Sequence, residues 1–255
     1  MSANIEDNSN QNFNDINDYE KLDVEEDDVN IEKNIRASFI RKVYGVLSFQ
    51  LIVTSLFISL SLFPSVRLFI LKNINMFYIL NIISAIVSLI SILLLVCSEN
   101  LAKKVPINYI LLTIFTITES FSLLILCIQY NPDSIIMAVF LTTGLVVGLS
   151  FYACYTNTNF TYLGGILFSS LCLLIVSGIL ILILGKNHIV DIIISSISLL
   201  IFSLYLIYDT QLIYGKFGVK YKIDDYILAA INVYLDIINM FIQILKIIGN
   251  KSTTK

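Results

Sequence analysis

The sequence predicts an all-α integral membrane protein with seven transmembrane helices. Of its 255 residues, 57% are apolar and only 14% are charged, and the apolar residues fall in seven long blocks. A soluble domain carries about 25% charged residues, so this chain has too little charge to cover a water-facing surface. About 20 apolar residues cross the ~30 Å of hydrocarbon in helical form, whereas isolated strands leave backbone groups unpaired in lipid.

The chain is expected to divide into an acidic tail (residues 1–33), a seven-helix membrane domain (residues 34–249) and a short basic tail (residues 250–255). Residues 1–32 hold eleven acids against the single base Lys21, which gives them a net charge of about −10. Such a segment lacks the apolar residues that would offset its ordering entropy. We therefore predict a disordered cytosolic arm that either binds protein partners or only keeps the chain soluble.

Each of the seven segments has the length that one crossing requires. In chain order they are residues 43–63, 76–97, 105–128, 134–155, 161–184, 189–208 and 226–248. The connections between them are short, with Pro64, Pro132 and a Gly-Lys-Asn-His run at 185–188 as breaks. Only residues 209–225 are predicted to be long enough to form a small structure of their own.

Basic residues predict the orientation, because they concentrate in cytosolic connections. Those before the first segment and in the second and sixth connections are Lys33, Arg36, Arg41, Lys42, Lys103, Lys104, Lys216, Lys220 and Lys222. The opposite side has only Arg67, Lys72 and Lys186, so the N-terminus is predicted to be cytosolic. Seven crossings then place Lys246, Lys251 and Lys255 on the non-cytosolic side, where few basic residues are expected. The last segment therefore either spans the membrane or re-enters on the same side.

An ionisable residue inside a segment costs about 2.5–3.5 kcal/mol on insertion scales and marks function. Three carboxyl groups qualify, and Asp191, at the start of the sixth segment, is interpreted as interfacial. Glu119 lies in the middle of the third segment, Asp209 closes the sixth, and Asp236 lies in the seventh. Asn232 and Asn239, at i−4 and i+3 from Asp236, share one helical face with it. This polar face is expected to point to the protein interior or to a water-filled cavity.

Asp209 and Asp236 belong to consecutive antiparallel segments, and the polar linker between them lets the two carboxyl groups meet. No Lys or Arg lies inside the spans, apart from Lys246 at the end of the last. Two carboxyls without a cation cannot both stay ionised cheaply in a low dielectric, so the pair is a candidate proton switch. Its oxygens are also the ligand type that Ca²⁺ prefers.

Several enzyme classes do not fit this sequence. Membrane zinc hydrolases need several His or carboxylate ligands, yet the only histidine is His188, in a short loop. Residues 148–151 lack the second glycine of an intramembrane serine protease motif, and no phosphate-binding glycine motif is present. We therefore expect neither an enzyme nor a bound cofactor.

Several motifs resemble those of the Bax inhibitor/lifeguard membrane proteins, most closely the lifeguard branch. Residues 37–44 enter the first segment as that family does, and Phe160-Thr161 leads to Gly164-Gly165. The C-terminal signature is more specific; it comprises residues 208–211, 226–230 and 235–239. The resemblance covers about residues 34–249 and leaves out the acidic tail.

The resemblance implies seven helices, a calcium leak in internal membranes, a pH-responsive aspartate pair and restraint of cell death. Asp209 and Asp236 match the pair position by position. Glu119 stands where lifeguard-like members also carry an acid. One departure is that residues 74–98 lack the arginine with which some relatives latch the pair. Asn81 or Asn232 is a candidate replacement.

We therefore predict a pH-sensitive calcium channel or leak of the endoplasmic reticulum or Golgi, with Ca²⁺ as cargo. Asp209 and Asp236 are expected to gate it and to contact Ca²⁺, while Glu119, Asn232 and Asn239 line the ion path. The expected partners are the lipid bilayer, Ca²⁺, protons and proteins that bind the acidic tail, with no nucleic acid. The alternatives are a non-conducting interaction protein that regulates cell death, and a proton-coupled carrier.

Overall fold

The computed structural model is helical throughout, and it describes the backbone of residues 3–184, 188–218 and 221–251. Nine α-helices are described: α1 Ala3–Leu60, α2 Pro64–Lys72, α3 Ile74–Cys97, α4 Glu99–Lys103, α5 Ile107–Cys127, α6 Pro132–Tyr155, α7 Gly164–Leu184, α8 His188–Tyr214 and α9 Tyr226–Ile248. Seven helices are long and apolar enough to cross a membrane. The predicted fold class and segment count are confirmed.

The chain divides into two compact units, residues 1–41 and residues 42–255. The first unit contains the acidic segment, whose backbone from Ala3 onward forms the first part of α1. Within this unit the Arg36 guanidinium lies 4.6 Å from the centre of the Phe39 ring. The predicted partner-binding role of this segment stays a prediction. The end of the basic tail, residues 252–255, lies outside the described residues.

The connections contain more helix than the sequence predicted. The first connection forms α2, which begins at Pro64, where the ring fixes φ and no amide hydrogen is lost to the helix. The predicted sixth segment ended at residue 208, but α8 continues to Tyr214. Asp209 therefore lies inside a helix, more than one turn before its end, and not at the edge of the span.

Helix α9 is the most enclosed of the seven long apolar helices described. In its span 67% of an 18-residue apolar stretch is buried, against 6% in the span Thr161–Ile181 that contains most of α7. It packs against α6 and α8. It also contacts α1 and α5 through Tyr234, whose hydroxyl is 2.9 Å from that of Thr54 and whose ring packs edge-on to Phe115. The helix that carries Asp236 therefore lies at the centre of the bundle.

The bundle has two ends, which we name the linker face and the C-terminal face. At the linker face Tyr226, at the start of α9, donates to Tyr109 near the start of α5 (3.1 Å). Gln211, near the end of α8, donates to the carbonyl of Thr158 in the α6–α7 connection (3.0 Å). At the C-terminal face the Asn131 amide donates to the Asn250 carbonyl (3.0 Å). Helix α9 runs from one face to the other and is long and apolar enough to cross a membrane.

Candidate functional site

Asp209 on α8 and Asp236 on α9 lie side by side in the interior, as predicted. Each is 4% exposed, and their carboxyl groups interact directly. The two helices are antiparallel and packed along their lengths. Asp209, near the end of α8, therefore meets Asp236, about three turns into α9.

The Tyr221 hydroxyl donates a hydrogen bond to Asp209 Oδ1 at 2.9 Å. Asn232 Nδ2 in turn donates to the Tyr221 oxygen at 2.8 Å. Burial raises the pKa of the Tyr221 phenol, with the charge of Asp209 adding to the effect, so the phenol keeps its proton and acts as a donor. Asn232, predicted to line an ion path, thus also supports the aspartate pair through Tyr221.

Asp236 Oδ2 is buried and receives no hydrogen bond from any group in the described part of the chain. A buried carboxylate oxygen without a donor is costly. A single proton shared between the two carboxyl groups removes that cost, because it turns one carboxyl into a donor to the other. The geometry therefore suits a pair that holds one proton, or a pair that accepts a cation in its place.

The pair lies at one end of a cavity of about 1340 Å³ between α7, α8 and α9. Along α8 its lining runs from His188 to Leu212, about 36 Å of helix, which is close to the thickness of the hydrocarbon core. The C-terminal-face end is lined by Asp191, Lys246 and Lys251. The cavity thus connects that face to the aspartate pair.

Polar side chains follow the cavity along α9 at helical spacing. Five of them repeat every three or four residues and so share one face: Asn232, Asp236, Asn239, Gln243 and Lys246. Helix α8 presents Asp191, Ser195 and Ser198 to the same cavity, and α7 adds a mainly apolar wall. The predicted polar face of α9 therefore does point into a cavity, and it is longer than the three residues predicted.

Glu119 lies apart from the aspartate pair. It accepts a hydrogen bond from Ser88 Oγ (3.1 Å) and lines a separate cavity of about 260 Å³ together with Asn81 and Ser122. Gln129 lines both cavities. The predicted place of Glu119 on the ion path stays a prediction, since the structure does not bring Glu119 to the aspartate pair. Of the two residues suggested to replace the arginine latch, Asn232 lies near the pair and Asn81 does not.

The residues present offer Ca²⁺ a limited ligand set. Within the described ranges no group of three or more His, Cys, Asp or Glu side chains could hold a metal ion. Ca²⁺ takes six to eight oxygens at a tight site, whereas the pair supplies two carboxyl groups. The arrangement suits brief contact with a passing, partly hydrated ion better than stable binding of the ion.

Sequence reasoning missed several lining residues. Gln243, Ser195 and Ser198 could have been found, because they continue the three-and-four spacing from Asp236 and Asp209. Tyr221 carried no such signal, since a tyrosine in a polar linker is ordinarily expected to lie at the surface.

Residues 36–253 match the family described as inhibitor of apoptosis-promoting Bax1. The chain is 28% identical to Protein lifeguard 3 of Homo sapiens over 87% of this chain and 71% of that protein. It is 32% identical to Bax inhibitor 1 of Schizosaccharomyces pombe, over 85% and 78%. It is also 34% identical to the Golgi anti-apoptotic protein of Vaccinia virus (strain Lister), over 84% and 86%. None of these three is named as an enzyme. The chain belongs to the Bax inhibitor family, which includes the lifeguard proteins.

Proposed function

We propose that this chain is a pH-sensitive calcium leak of an internal membrane and that it restrains cell death. The observation that carries the proposal is the buried pair of Asp209 and Asp236 at the end of a polar-lined cavity that runs almost the length of the bundle. A cation drawn along this cavity meets oxygen atoms of α8 and α9 before it reaches the carboxyl groups. The names of the relatives support the link to cell death.

In this mechanism the shared proton closes the path. With one proton between them, the carboxyl groups attract each other and hold α8 against α9. When the proton leaves, two negative charges repel each other in a low dielectric and attract Ca²⁺. The leak therefore depends on pH through the pair.

Calcium efflux from liposomes that contain the purified protein tests this proposal over about pH 6 to 8. The Asp209→Asn/Asp236→Asn variant is expected to lose the pH response, because neither amide titrates. Asp133→Asn is the matched control, since Asp133 is an exposed acid at the start of α6. Wild-type liposomes that retain calcium as tightly as empty ones would contradict the leak. Saturable exchange for protons would instead indicate a carrier.

We place the protein in the endoplasmic reticulum or the Golgi, with its N-terminus cytosolic. The name of the viral relative supports a Golgi site, and the basic residues support the orientation. Imaging of a fluorescent fusion beside markers of both organelles tests the location. Accumulation at the cell surface would contradict it.

A non-conducting interaction protein is the second candidate. It is favoured by the fact that the names of the three relatives describe restraint of cell death or a lifeguard role and not transport. Deletion of residues 2–30 separates the candidates in cells challenged with a death stimulus. A leak keeps its flux and its protection without the acidic segment, whereas an adaptor that acts through the segment loses its protection.

A further inference from the structure

Tyr221 is half-buried although it belongs to the polar α8–α9 linker. The linker leaves α8 through Gly215 and Gly218, whose φ angles of 67° and 81° lie in the left-handed region that favours glycine. Its first part is held to the end of α6, because Lys216 Nζ donates to the Cys154 carbonyl at 3.2 Å. Its last part is near α4, where Lys103 and Asp225 approach to 3.9 Å. Tyr221 lies between these two anchored parts and points inward.

Tyr221 also forms the end wall of the large cavity. At the linker face the lining consists of Tyr208, Asp209, Leu212, Tyr221 and Asn232. Of these, Tyr221 alone comes from the linker and not from a membrane helix, so its ring can withdraw without moving the bundle. Its hydroxyl is held by Asp209 on one side and by Asn232 on the other.

We propose that Tyr221 is a latch that closes the linker-face end of the cavity and is released when the charge of the aspartate pair changes. The proposal rests on the proposed function, because it assigns the residue that separates the cavity from the linker face. Loss of the proton makes the two carboxylates repel each other. Separation of α8 from α9 then breaks the bridge that Tyr221 forms between Asp209 and Asn232. The linker is thus the part of the chain through which the pair opens the path.

The groups that face the pair come from three helices and the linker. They are Asp209, Tyr205 and Tyr208 on α8, Asp236 on α9, Tyr221 on the linker, and Cys172 on α7 beside Tyr205. No lysine or arginine of the described segments is among them. A change with pH in the contacts of Tyr221 is therefore attributed to the protonation of the two carboxyl groups.

The first test is the pH profile of calcium efflux in Tyr221→Phe, which removes the hydroxyl and keeps the ring. The Tyr221 hydroxyl bonds to Asp209 in the closed state, and opening breaks this bond. Its loss therefore favours the open state at every pH and is expected to move the midpoint of the profile to lower pH by about one unit. Tyr226→Phe is the control, because the Tyr226 hydroxyl bonds to Tyr109 near the same linker without touching the pair. Equal profiles for the wild type and Tyr221→Phe would overturn the latch.

The second test does not depend on calcium flux. Asn239→Cys, in a chain with Cys97, Cys127, Cys154 and Cys172 replaced by alanine, places one thiol in the cavity beyond the pair. A small membrane-impermeant methanethiosulfonate reagent is added at the linker face of vesicles whose orientation a C-terminal tag reports. Tyr221→Ala is expected to raise the labelling rate by on the order of tenfold, because the latch no longer holds the closed state.

The two tests separate the latch from the leak. Faster labelling in Tyr221→Ala without calcium flux in any variant supports the latch and overturns the leak. Normal wild-type flux with unchanged labelling in Tyr221→Ala overturns the latch and leaves the leak standing. The same result from Tyr226→Ala and Tyr221→Ala would also overturn the latch, because it would show general loosening of the linker.

Discussion

At the scale of single residues, two neighbouring glycines at the start of α7 have different surroundings. A Cβ on Gly164 would lie 2.9 Å from the Tyr208 hydroxyl, whereas one on Gly165 would meet nothing within 4 Å. Tyr208 lines the end of the large cavity near the aspartate pair. The absence of a side chain at Gly164 thus lets α7 approach α8 beside the site.

Alanine at these two positions should therefore have different effects. Gly165→Ala is expected to be neutral or mildly stabilising, because alanine favours a helix. The free energy of unfolding of Gly164→Ala is expected to be about 1 kcal/mol lower than that of Gly165→Ala, since Tyr208 must move. Unfolding in detergent, followed by circular dichroism, measures both. Equal stability of the two variants would contradict the close approach.

Arg67 was counted from the sequence as a loop residue, but it is only 8% exposed. It donates to the carbonyls of Ser61 (3.2 Å), Ile128 (2.7 Å) and Tyr130. It therefore joins α2 to the end of α5 at the C-terminal face and satisfies carbonyls that the helix ends leave free.

Arg67→Met should lower the free energy of unfolding by about 2 kcal/mol, because it leaves buried carbonyls without donors. Lys72→Met on the same short helix is the control; Lys72 is exposed, and its change is expected within about 0.5 kcal/mol. Denaturation in the same detergent measures both variants. A cost for Arg67→Met no larger than that for Lys72→Met would show that the three contacts do not stabilise the fold.

At the scale of elements, α9 is held in the centre of the bundle by hydroxyl groups as well as by apolar packing. Thr54 on α1 lies 2.9 Å from Ser120 on α5 and 2.9 Å from Tyr234 on α9. In lipid, apolar packing alone gives little preference for one orientation of a helix over another, because the surroundings are as apolar as the side chains. These hydrogen bonds therefore help to set the rotation of α9 that turns Asp236 towards the cavity.

A double-mutant cycle of Thr54→Val and Tyr234→Phe should give a coupling free energy of about 0.6–1 kcal/mol, as is usual for hydroxyl pairs between membrane helices. Thermal unfolding of the four proteins in one detergent provides the values. Additive effects of the two substitutions would mean that the pair does not couple α1 to α9.

At the scale of the whole molecule, the structure places the α8–α9 linker and the C-terminus at opposite ends of the bundle. Protease sites inserted after Gly218 and at the C-terminus should therefore be cleaved from opposite sides of sealed vesicles. Each site is first checked in detergent, where both must be cut. Cleavage of both from the same side would show that the last segment re-enters the membrane.

The sequence alone determined the fold class, the number of segments and the identity of the acidic pair. These follow from local properties, because the hydropathy of a segment does not depend on its neighbours and an acid within a span is conspicuous wherever it packs. Even so, the α2 helix and the extension of α8 past Asp209 were not predicted, since short polar connections carry little hydropathy signal.

Apart from the aspartate pair, only the tertiary structure decided which groups meet. The docking of Tyr221 against Asp209 depends on how an irregular linker folds back, and the separation of Glu119 from the pair depends on which way α5 faces. The position of the end of α9 at the C-terminal face likewise became clear from the contact between Asn131 and Asn250. Such contacts join residues far apart in the chain, and in lipid they are set by packing and hydrogen bonds that no local pattern records.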